Sequence, residues 1–575
     1  MSRFVLALAL VLGLVPAAAP ASASAPAAVG LRTSALQNQD AAIARYAQDL
    51  LNQNYPASGP GAAILVARGD MVLFRGARGL ADIETGQPLR PDSVFRIASV
   101  TKQFAAAGLL TLVEAGKVDL DAPLSEILPD LGGAASVTVR QLLNHTAGLK
   151  DYTGTPGYGE QLERDLSTAQ LIDLFEEAAP DFQPGESWAY SNSGYVLVGA
   201  VIEAVTGLPW HVYLNRALFQ PLGMTQTGYA LNPDLQAQEV TGYSHDGRAV
   251  APMHPMSMTQ PHAAGALVST VDDLLRWNRA LHEGSVLNDE TYARMVTPSA
   301  QSLAAGTGYS MGFYNERVRQ DRVLRHGGAI FGFSSSLAYA PEADITVVVL
   351  ENDDATLQEE NSNTVMRRLT AMALGNPYPE AKPVPVDAAT LGSAEGAYRF
   401  ADGTVRILRV ADGALTVQRG GSLPAVLTPI AADDFLYEDG FTRLTLDRDN
   451  LGVVKAIRFF PKGDGDGVVG VRAGEADAAA AVSLSRGELA RLTGTYANGG
   501  MRLVVFIESG ALKTRMGDQD PVRLRASSPI AFDVEEADAL LEFAAGDTPA
   551  EEVTIRQGGR SLILRRECND RPCGS

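Results

Sequence analysis

Ser99 and Lys102 stand three positions apart in the stretch Ser99-Val100-Thr101-Lys102. A run of helix-forming residues follows, Gln103-Phe104-Ala105-Ala106-Ala107-Gly108-Leu109-Leu110. Three residues is just under one helical turn, so the hydroxyl and the amine share a face. A serine at a helix N-terminus sits where the helix dipole favours developing negative charge. A desolvated lysine can lose its proton and accept one from that serine. The chemistry this pair could do is acyl transfer through a serine ester.

Two further stretches could serve the same chemistry. Tyr190-Ser191-Asn192 precedes an apolar helical run. A tyrosine works as a base only if a nearby cation lowers its pKa, and Lys102 could be that cation. Arg325-His326-Gly327-Gly328 leads into the strand-like Ala329-Ile330-Phe331-Gly332-Phe333. Small residues let a substrate backbone approach a strand edge closely. A strand N–H there, together with that of Ser99, could form an oxyanion hole.

Other residues invite chemistry less. Gly308-Tyr309-Ser310-Met311-Gly312 matches G-x-S-x-G, but that motif needs a strand-turn-helix setting. Here another strand, Tyr314 to Val318, follows, so Ser310 is not expected to be the nucleophile. His145 is expected to pack or hydrogen-bond within its loop, and His254 and His262 to border the cleft. No zinc-ligand spacing, P-loop or dinucleotide fingerprint occurs, so no metal and no cofactor is expected.

These residues need elements to position them. An amphipathic helix is expected over Ala41–Asn52, then a hairpin of Ala62–Ala67 and Met71–Phe74 turned by Arg68-Gly69-Asp70. Helices follow over Leu171–Ala178 and Gly194–Val205, strands over Ser334–Tyr339 and Ile345–Leu350, and a helix over Asn361–Leu374. Strands at both ends with helices between predict an α+β region over residues 39–375, its terminal strands in one antiparallel sheet. A Pro-rich linker spans 376–387. The remainder is rich in short strands and repeats itself: Gly396-Ala397-Tyr398 matches Gly494-Thr495-Tyr496, Asp412-Gly413-Ala414-Leu415 matches Ser509-Gly510-Ala511-Leu512, and Thr428-Pro429-Ile430 matches Ser528-Pro529-Ile530. The near-constant offsets of 98, 97 and 100 residues predict two small antiparallel β-barrels, over 388–480 and 485–567, with a tail over 568–575.

Composition narrows the partners. The 575 residues carry a formal charge of −20, spread along the chain, which disfavours nucleic acid or anionic membrane as a partner. Arg3, the apolar run Phe4–Val15 and the small-residue site Ala21-Ser22-Ala23 read as a secretory signal peptide over residues 1–23. The expected location is therefore periplasmic or extracellular, with no membrane anchor. The two cysteines, Cys568 and Cys573, lie in the tail, where they could close a small loop without a catalytic role.

The order S-x-x-K, Tyr-Ser-Asn, His-Gly-Gly resembles the serine β-lactamase-related, penicillin-recognising hydrolases. Leu142-Leu143-Asn144-His145-Thr146-Ala147-Gly148-Leu149 is similar to that family's LLxHTSGL loop, and Gly265 to Leu274 to its GLxSTxxDL segment. The resemblance covers roughly residues 40–375. It implies a β-lactamase/transpeptidase-like fold, with Ser99 acylated, Lys102 relaying its proton, and Tyr190 protonating the leaving group and later activating water. It also implies that Asn192 orients Lys102 or the substrate amide, that His326 with Gly327 and Gly328 takes the third-motif position, and that Ser99 and Ala329 supply the oxyanion hole.

One departure stands out. The family's K-T-G is missing, and Lys513-Thr514 continues with Arg515. Histidine is a poorer carboxylate anchor than lysine near neutral pH. The resemblance thus implies a peptidase acting on short peptides or amino-acid amides, D-configured ones included, ahead of a short-chain esterase and a β-lactamase. The layout with two barrels resembles D-aminopeptidases, in which a loop of the last barrel shapes the site, and it leaves room for a homo-oligomer. The rival from another class is a penicillin sensor that acylates and stalls.

Overall fold

The computed structural model of the protein describes residues 25–155, 158–245, 249–354, 361–379, 382–473 (save 412, 420–423 and 439) and 485–572 (save 499–500, 509–510, 517–521, 527, 535–538, 545, 547, 558–559 and 569–570). The signal-peptide reading, Cys573, and the repeat landmarks at 412, 509 and 510 lie outside the described residues.

Strands from the two ends of the first region meet in one sheet. The strands are β1 (Ala62–Arg68), β2 (Met71–Arg78), β3 (Tyr314–Val318), β4 (Asp321–Ile330), β5 (Phe333–Ala340) and β6 (Ile345–Glu351). They are ordered β3-β4-β5-β6-β1-β2, with antiparallel pairing throughout. β1 is apolar on both faces, as a central strand covered on both sides must be. Ile64 and Val66 face one core, which holds Ile43, Leu50 and Leu51 of helix α1 (Ala25–Asn54). Leu65 and Ala67 face the other and larger core. That core packs helices α2 (Thr101–Glu114), α3 (Asn192–Thr206) and α4 (Val271–His282). Helix α5 (Ser362–Ala373) returns to the α1 side, capped by Asn361. This is the expected α+β arrangement.

Two expected helices differ in extent. α1 begins at Ala25, well before Ala41, and stops at Asn54, just ahead of Pro56. The helix expected over Leu171–Ala178 is instead Thr168–Asp173. Beyond it three-residue bonds, Phe175 N–H to Ile172 O and Ala178 N–H to Phe175 O, mix with one four-residue bond, Glu176 N–H to Ile172 O. Phe175 packs in the core.

Past the Pro-rich segment lie two antiparallel meanders. In the first, Gly396–Phe400 pairs with the last strand, Val468–Arg472, bringing the ends of the meander together. In the second, Gly494–Asn498 pairs with Arg560–Cys568 to close the ring. The repeat goes deeper than the matching triplets. Tyr398 and Tyr496 are both buried and donate their hydroxyls to Ala394 O at 2.7 Å and Leu492 O at 2.9 Å. Each ring lies under an arginine from the closing strand, Arg472 at 5.9 Å and Arg566 at 5.1 Å. Gly396 and Gly494 keep the position beside each arginine free of a Cβ.

The loop after the strand Val454–Phe460, residues 461–465, docks the first meander onto the β3–β4 hairpin. Arg319 N–H donates to Asp464 Oδ1 at 2.7 Å, Arg319 Nη1 to Gly463 O at 2.6 Å, and Gly465 N–H to Arg319 O at 2.9 Å. Tyr378 Oη donates to Asp464 Oδ1 at 2.5 Å, and Arg367 of α5 pairs with both Asp464 and Glu316.

Candidate active site

Ser99 lies in a 3₁₀ turn, Ala98–Val100, that runs straight into α2. Ala98, just before it, has φ +43°, a left-handed conformation that costs an L-residue about 1 kcal/mol. The turn is held by Ile97, whose N–H donates to Leu267 O at 3.0 Å and whose O accepts from Ser335 Oγ at 2.8 Å. Strand β4 passes directly over it. A Cβ on Gly328 would stand 2.9 Å from the Ser99 backbone nitrogen and closer still to Ile97 O. Only glycine permits that approach of backbone to backbone.

Lys102 is fully buried in the first turn of α2. Its Nζ lies 3.1 Å from Ser99 Oγ, 2.9 Å from Asn192 Oδ1 and 2.9 Å from Ala264 O. Desolvation pushes its pKa down to about 7, against an opposing pull from the Asp151 carboxylate. The amide and carbonyl oxygens can only accept. A neutral Lys102 therefore donates its two protons to them and aims its lone pair at Ser99 Oγ.

Asn192 begins α3, behind the cap in which Ser191 Oγ accepts Gly194 N–H. Its backbone N–H and Nδ2 donate to Asp151 Oδ2 at 2.7 and 3.1 Å. The Tyr190 ring lies 4.7 Å from Lys102 Nζ, and the Ser99 side chain acts on its phenol. Burial pushes the Tyr190 phenol well above its ordinary pKa, so the hydroxyl keeps its proton. Lys102, not Tyr190, is the group whose pKa is shifted toward neutrality.

His326 is buried on β4, its Nε2 3.1 Å from Tyr309 Oη. Desolvation pushes its pKa down to about 3, and nearby Lys102 adds to the shift, so it stays neutral through the physiological range. His145 reaches beyond its own loop: its Nδ1 accepts Ser191 N–H at 3.2 Å, and its ring lies 4.4 Å from that of Tyr190. It too is held neutral by burial.

A cleft of about 2940 Å³ opens over these groups, with Ser99, Tyr190, Asn192, His326, Gly327, Gly328 and Ala329 in its walls. Lys462 and Asp464 of the first meander and Arg556 of the second also line it. His254 borders the cleft. His262 does not: it is buried against Trp210, 3.1 Å from Thr168 Oγ1, because its ring fills the notch left by Gly199. Ser310 is buried away from the cleft and donates to Phe313 O at 3.2 Å. Lys513 sits on a strand of the second meander, paired with Glu508 at 2.6 Å. Among the described residues no group of three or more His, Cys, Asp or Glu could hold a metal ion. Among them, too, no single helix is long and apolar enough to cross a membrane. Asp151 and Tyr309 were not singled out in the sequence. Asp151 lies two positions past the LLxHTSGL-like loop, after Lys150, and that nearness is the signal the sequence offers.

Comparison with known proteins agrees with this geometry. The family model named Beta-lactamase matches residues 49–372. Penicillin-binding protein 4* of Bacillus subtilis is 25% identical over 393 residues, covering 65% of this chain and 86% of its own length. A D-aminopeptidase of Gluconobacter oxydans is 28% identical over 326 residues, 56% of this chain and 60% of that protein. Esterase EstB of Burkholderia gladioli is 32% identical over 296 residues, 44% of this chain and 74% of that protein. The solved D-stereospecific amidohydrolase from Streptomyces sp. superposes with TM-score 0.50 at 28% identity, over 58% of this chain and 99% of that one. The structure of SurE with D-Leu matches 92% of this chain and 100% of its own with TM-score 0.55 and 21% identity, a likeness of fold that extends past the Pro-rich segment. The chain belongs to the β-lactamase family and is a serine hydrolase of the group that acts on amides and esters.

Proposed function

We propose that Ser99 forms an acyl-enzyme with the amide of a short peptide or amino acid, D-configured substrates included. The observation that carries this reading is the placement of Lys102 Nζ between Ser99 Oγ and two oxygens that can only accept.

In acylation, neutral Lys102 takes the Ser99 proton as Oγ bonds the carbonyl carbon. The N–H groups of Ser99 and Ala329 face the developing oxyanion in this reading. The tetrahedral adduct collapses as Tyr190 Oη gives its proton to the departing nitrogen. The site then holds a lysine ammonium and a tyrosinate, with the ammonium over the tyrosine ring. In deacylation, water loses a proton to Tyr190 and attacks the ester carbon, and Ser99 Oγ leaves with the proton held by Lys102. Each group ends in its starting state.

Ester hydrolysis follows the same steps and is the second reading. A β-lactam with a free carboxylate suits the site less, because neutral His326 stands where the family places a lysine. A stalled penicillin sensor is disfavoured by the intact deacylation route through Tyr190 and Lys102. The barrel residues Lys462, Asp464 and Arg556 in the cleft wall favour a substrate longer than one acetyl group. Export rests on Arg3, Phe4–Val15 and Ala21-Ser22-Ala23, and sequencing the N-terminus of the mature protein tests it. A panel of D- and L-aminoacyl anilides, p-nitrophenyl esters and a chromogenic cephalosporin, run against Ser99→Ala, tests the function. Turnover confined to esters would favour the second reading, and one stoichiometric acylation without turnover would favour the sensor.

A further inference from the structure

Asp151 makes no hydrogen bond to Ser99 or Lys102, yet through Asn192 it reaches the Lys102 amine. Its Oδ1 accepts Thr153 N–H at 2.9 Å and Thr153 Oγ1–H at 2.6 Å, which fixes the carboxylate at the head of a short 3₁₀ turn. Its Oδ2 accepts both the backbone N–H and the Nδ2 of Asn192. Four donors thus saturate the two oxygens. A side-chain amide can be turned either way, and the carboxylate decides which way. Nδ2 must face Asp151, so Oδ1 must face Lys102, where it accepts at 2.9 Å. Were the amide reversed, its N–H₂ would oppose the lysine protons, and the lone pair would no longer be aimed at Ser99.

The second contribution is charge. Tyr190 and Tyr195 present their rings to Lys102 Nζ at 4.7 and 5.4 Å, and the imidazoles of His145 and His326 lie near it. Burial keeps all four neutral in the resting site at physiological pH. Asp151 is the charged group that acts on Lys102, and it favours the ammonium.

We propose that Asp151 is a positioning residue of the reaction: it locks the Asn192 amide with its oxygen toward Lys102 and supplies a fixed counter-charge that, beside the transient Tyr190 phenolate, lets the buried lysine hold a proton between the two half-reactions. The proposal rests on the Ser99–Lys102 reading above and adds a residue to it.

The test uses the full chain and p-nitrophenyl acetate, with kcat and KM followed from pH 5 to pH 10. Asp151→Asn removes the charge and puts N–H₂ where an acceptor is needed. It should lower kcat at least about tenfold with KM changed far less, since misaiming one reacting group by about an ångström has effects of that size or larger. It should also move the acid limb of kcat/KM to lower pH, because without the negative charge the ammonium is less favoured. Asp151→Glu keeps the charge, so its acid limb should stay near the wild-type position although kcat falls. Thr153→Val, which loosens the turn but leaves the charge and the Asn192 contacts, should keep the wild-type limb.

If Asp151→Asn gives no folded protein by circular dichroism, Asn192→Ala decides. It removes the amide through which Asp151 acts and should lower kcat about tenfold with the acid limb in place. A wild-type kcat there, or an unmoved limb and kcat in folded Asp151→Asn, overturns the proposal. Equal movement of the limb in Thr153→Val does so too, since that would make the effect one of loop structure. Activity retained in Ser99→Ala would instead overturn the underlying reading.

Discussion

Lys102 and Asn192 lie 90 positions apart in the chain and 2.9 Å apart at their side-chain tips. The contact ties the first turn of α2 to the first residue of α3, so the site is assembled from two helix N-termini that face each other. Both helices are buried through most of their length, which leaves the amine little freedom to leave its place.

Replacement of the nucleophile separates the two serine motifs. Ser99→Ala should lower kcat/KM at least about 1000-fold, whereas Ser310→Ala should leave it within about threefold. The Ser310 hydroxyl bonds a carbonyl in the core, so its loss costs about 1 kcal/mol of stability and no chemistry. Labelling with a fluorophosphonate probe should fail in the first variant and persist in the second.

Activity should rise with pH through an apparent pKa near 7, the value set by the buried Lys102 amine. No further limb is expected from His326, whose pKa lies near 3. Stability follows the same group. The folded protein gives up this proton near pH 7 and the unfolded chain near 10.5. Between those values the unfolded state binds more protons, so the Lys102 contribution to stability rises with pH across that window and is least favourable below it. Lys102→Met should therefore abolish turnover while melting no lower than the parent at pH 6. A melting temperature well below the parent's would show that the amine stabilises the fold.

Gly328→Ala places a methyl group 2.9 Å from the Ser99 nitrogen. Ile97 O and the Ser99 nitrogen are backbone atoms, which cannot swing aside as the third neighbour, Ser335 Oγ, could. The turn or the strand must shift, and kcat should fall about 100-fold. Gly392, which has open space around its Cβ position, provides the comparison: Gly392→Ala should have wild-type kinetics.

The docking loop carries a structural prediction. Asp464→Ala leaves Arg367, only 7% exposed, with one carboxylate partner in place of two, and should cost about 3 kcal/mol in urea unfolding. Because Asp464 also lines the cleft, KM for peptide substrates should rise while that for p-nitrophenyl acetate stays close to wild type. Ending the chain after Pro385 should change substrate choice in the same direction. Unchanged kinetics in both proteins would make the barrels modules of assembly or adhesion.

Much of this site is legible as linear text because its parts are short and local. Ser99 and Lys102 share one helical turn, Tyr190 and Asn192 flank one cap, and His326 to Ala329 form one strand segment. What joins these parts is non-local. Asp151 meets Asn192 across 41 residues through a carboxylate that would pass for an ordinary turn cap. The protonation states are non-local too. The neutrality of His145 and His326 and the low pKa of Lys102 come from dry surroundings built by several elements, which no single stretch of sequence records. His262 shows the opposite failure: nearness in sequence to cleft residues suggested a place in the cleft, but its ring turns inward to fill the space beside Gly199.

The pairing of β1 with β6 has a consequence for synthesis. Ala62 lies opposite Glu351, so an interior pairing of the sheet joins its first strand made to its last. Until residues 345–351 have left the ribosome, β1 has a free edge and only β2 beside it. The strands that cover the Ser99 turn, β4 and β5, are likewise late products. A nascent chain thus passes most of its translation with its nucleophile written but not yet built, an arrangement that ties the onset of hydrolysis to completion of the sheet.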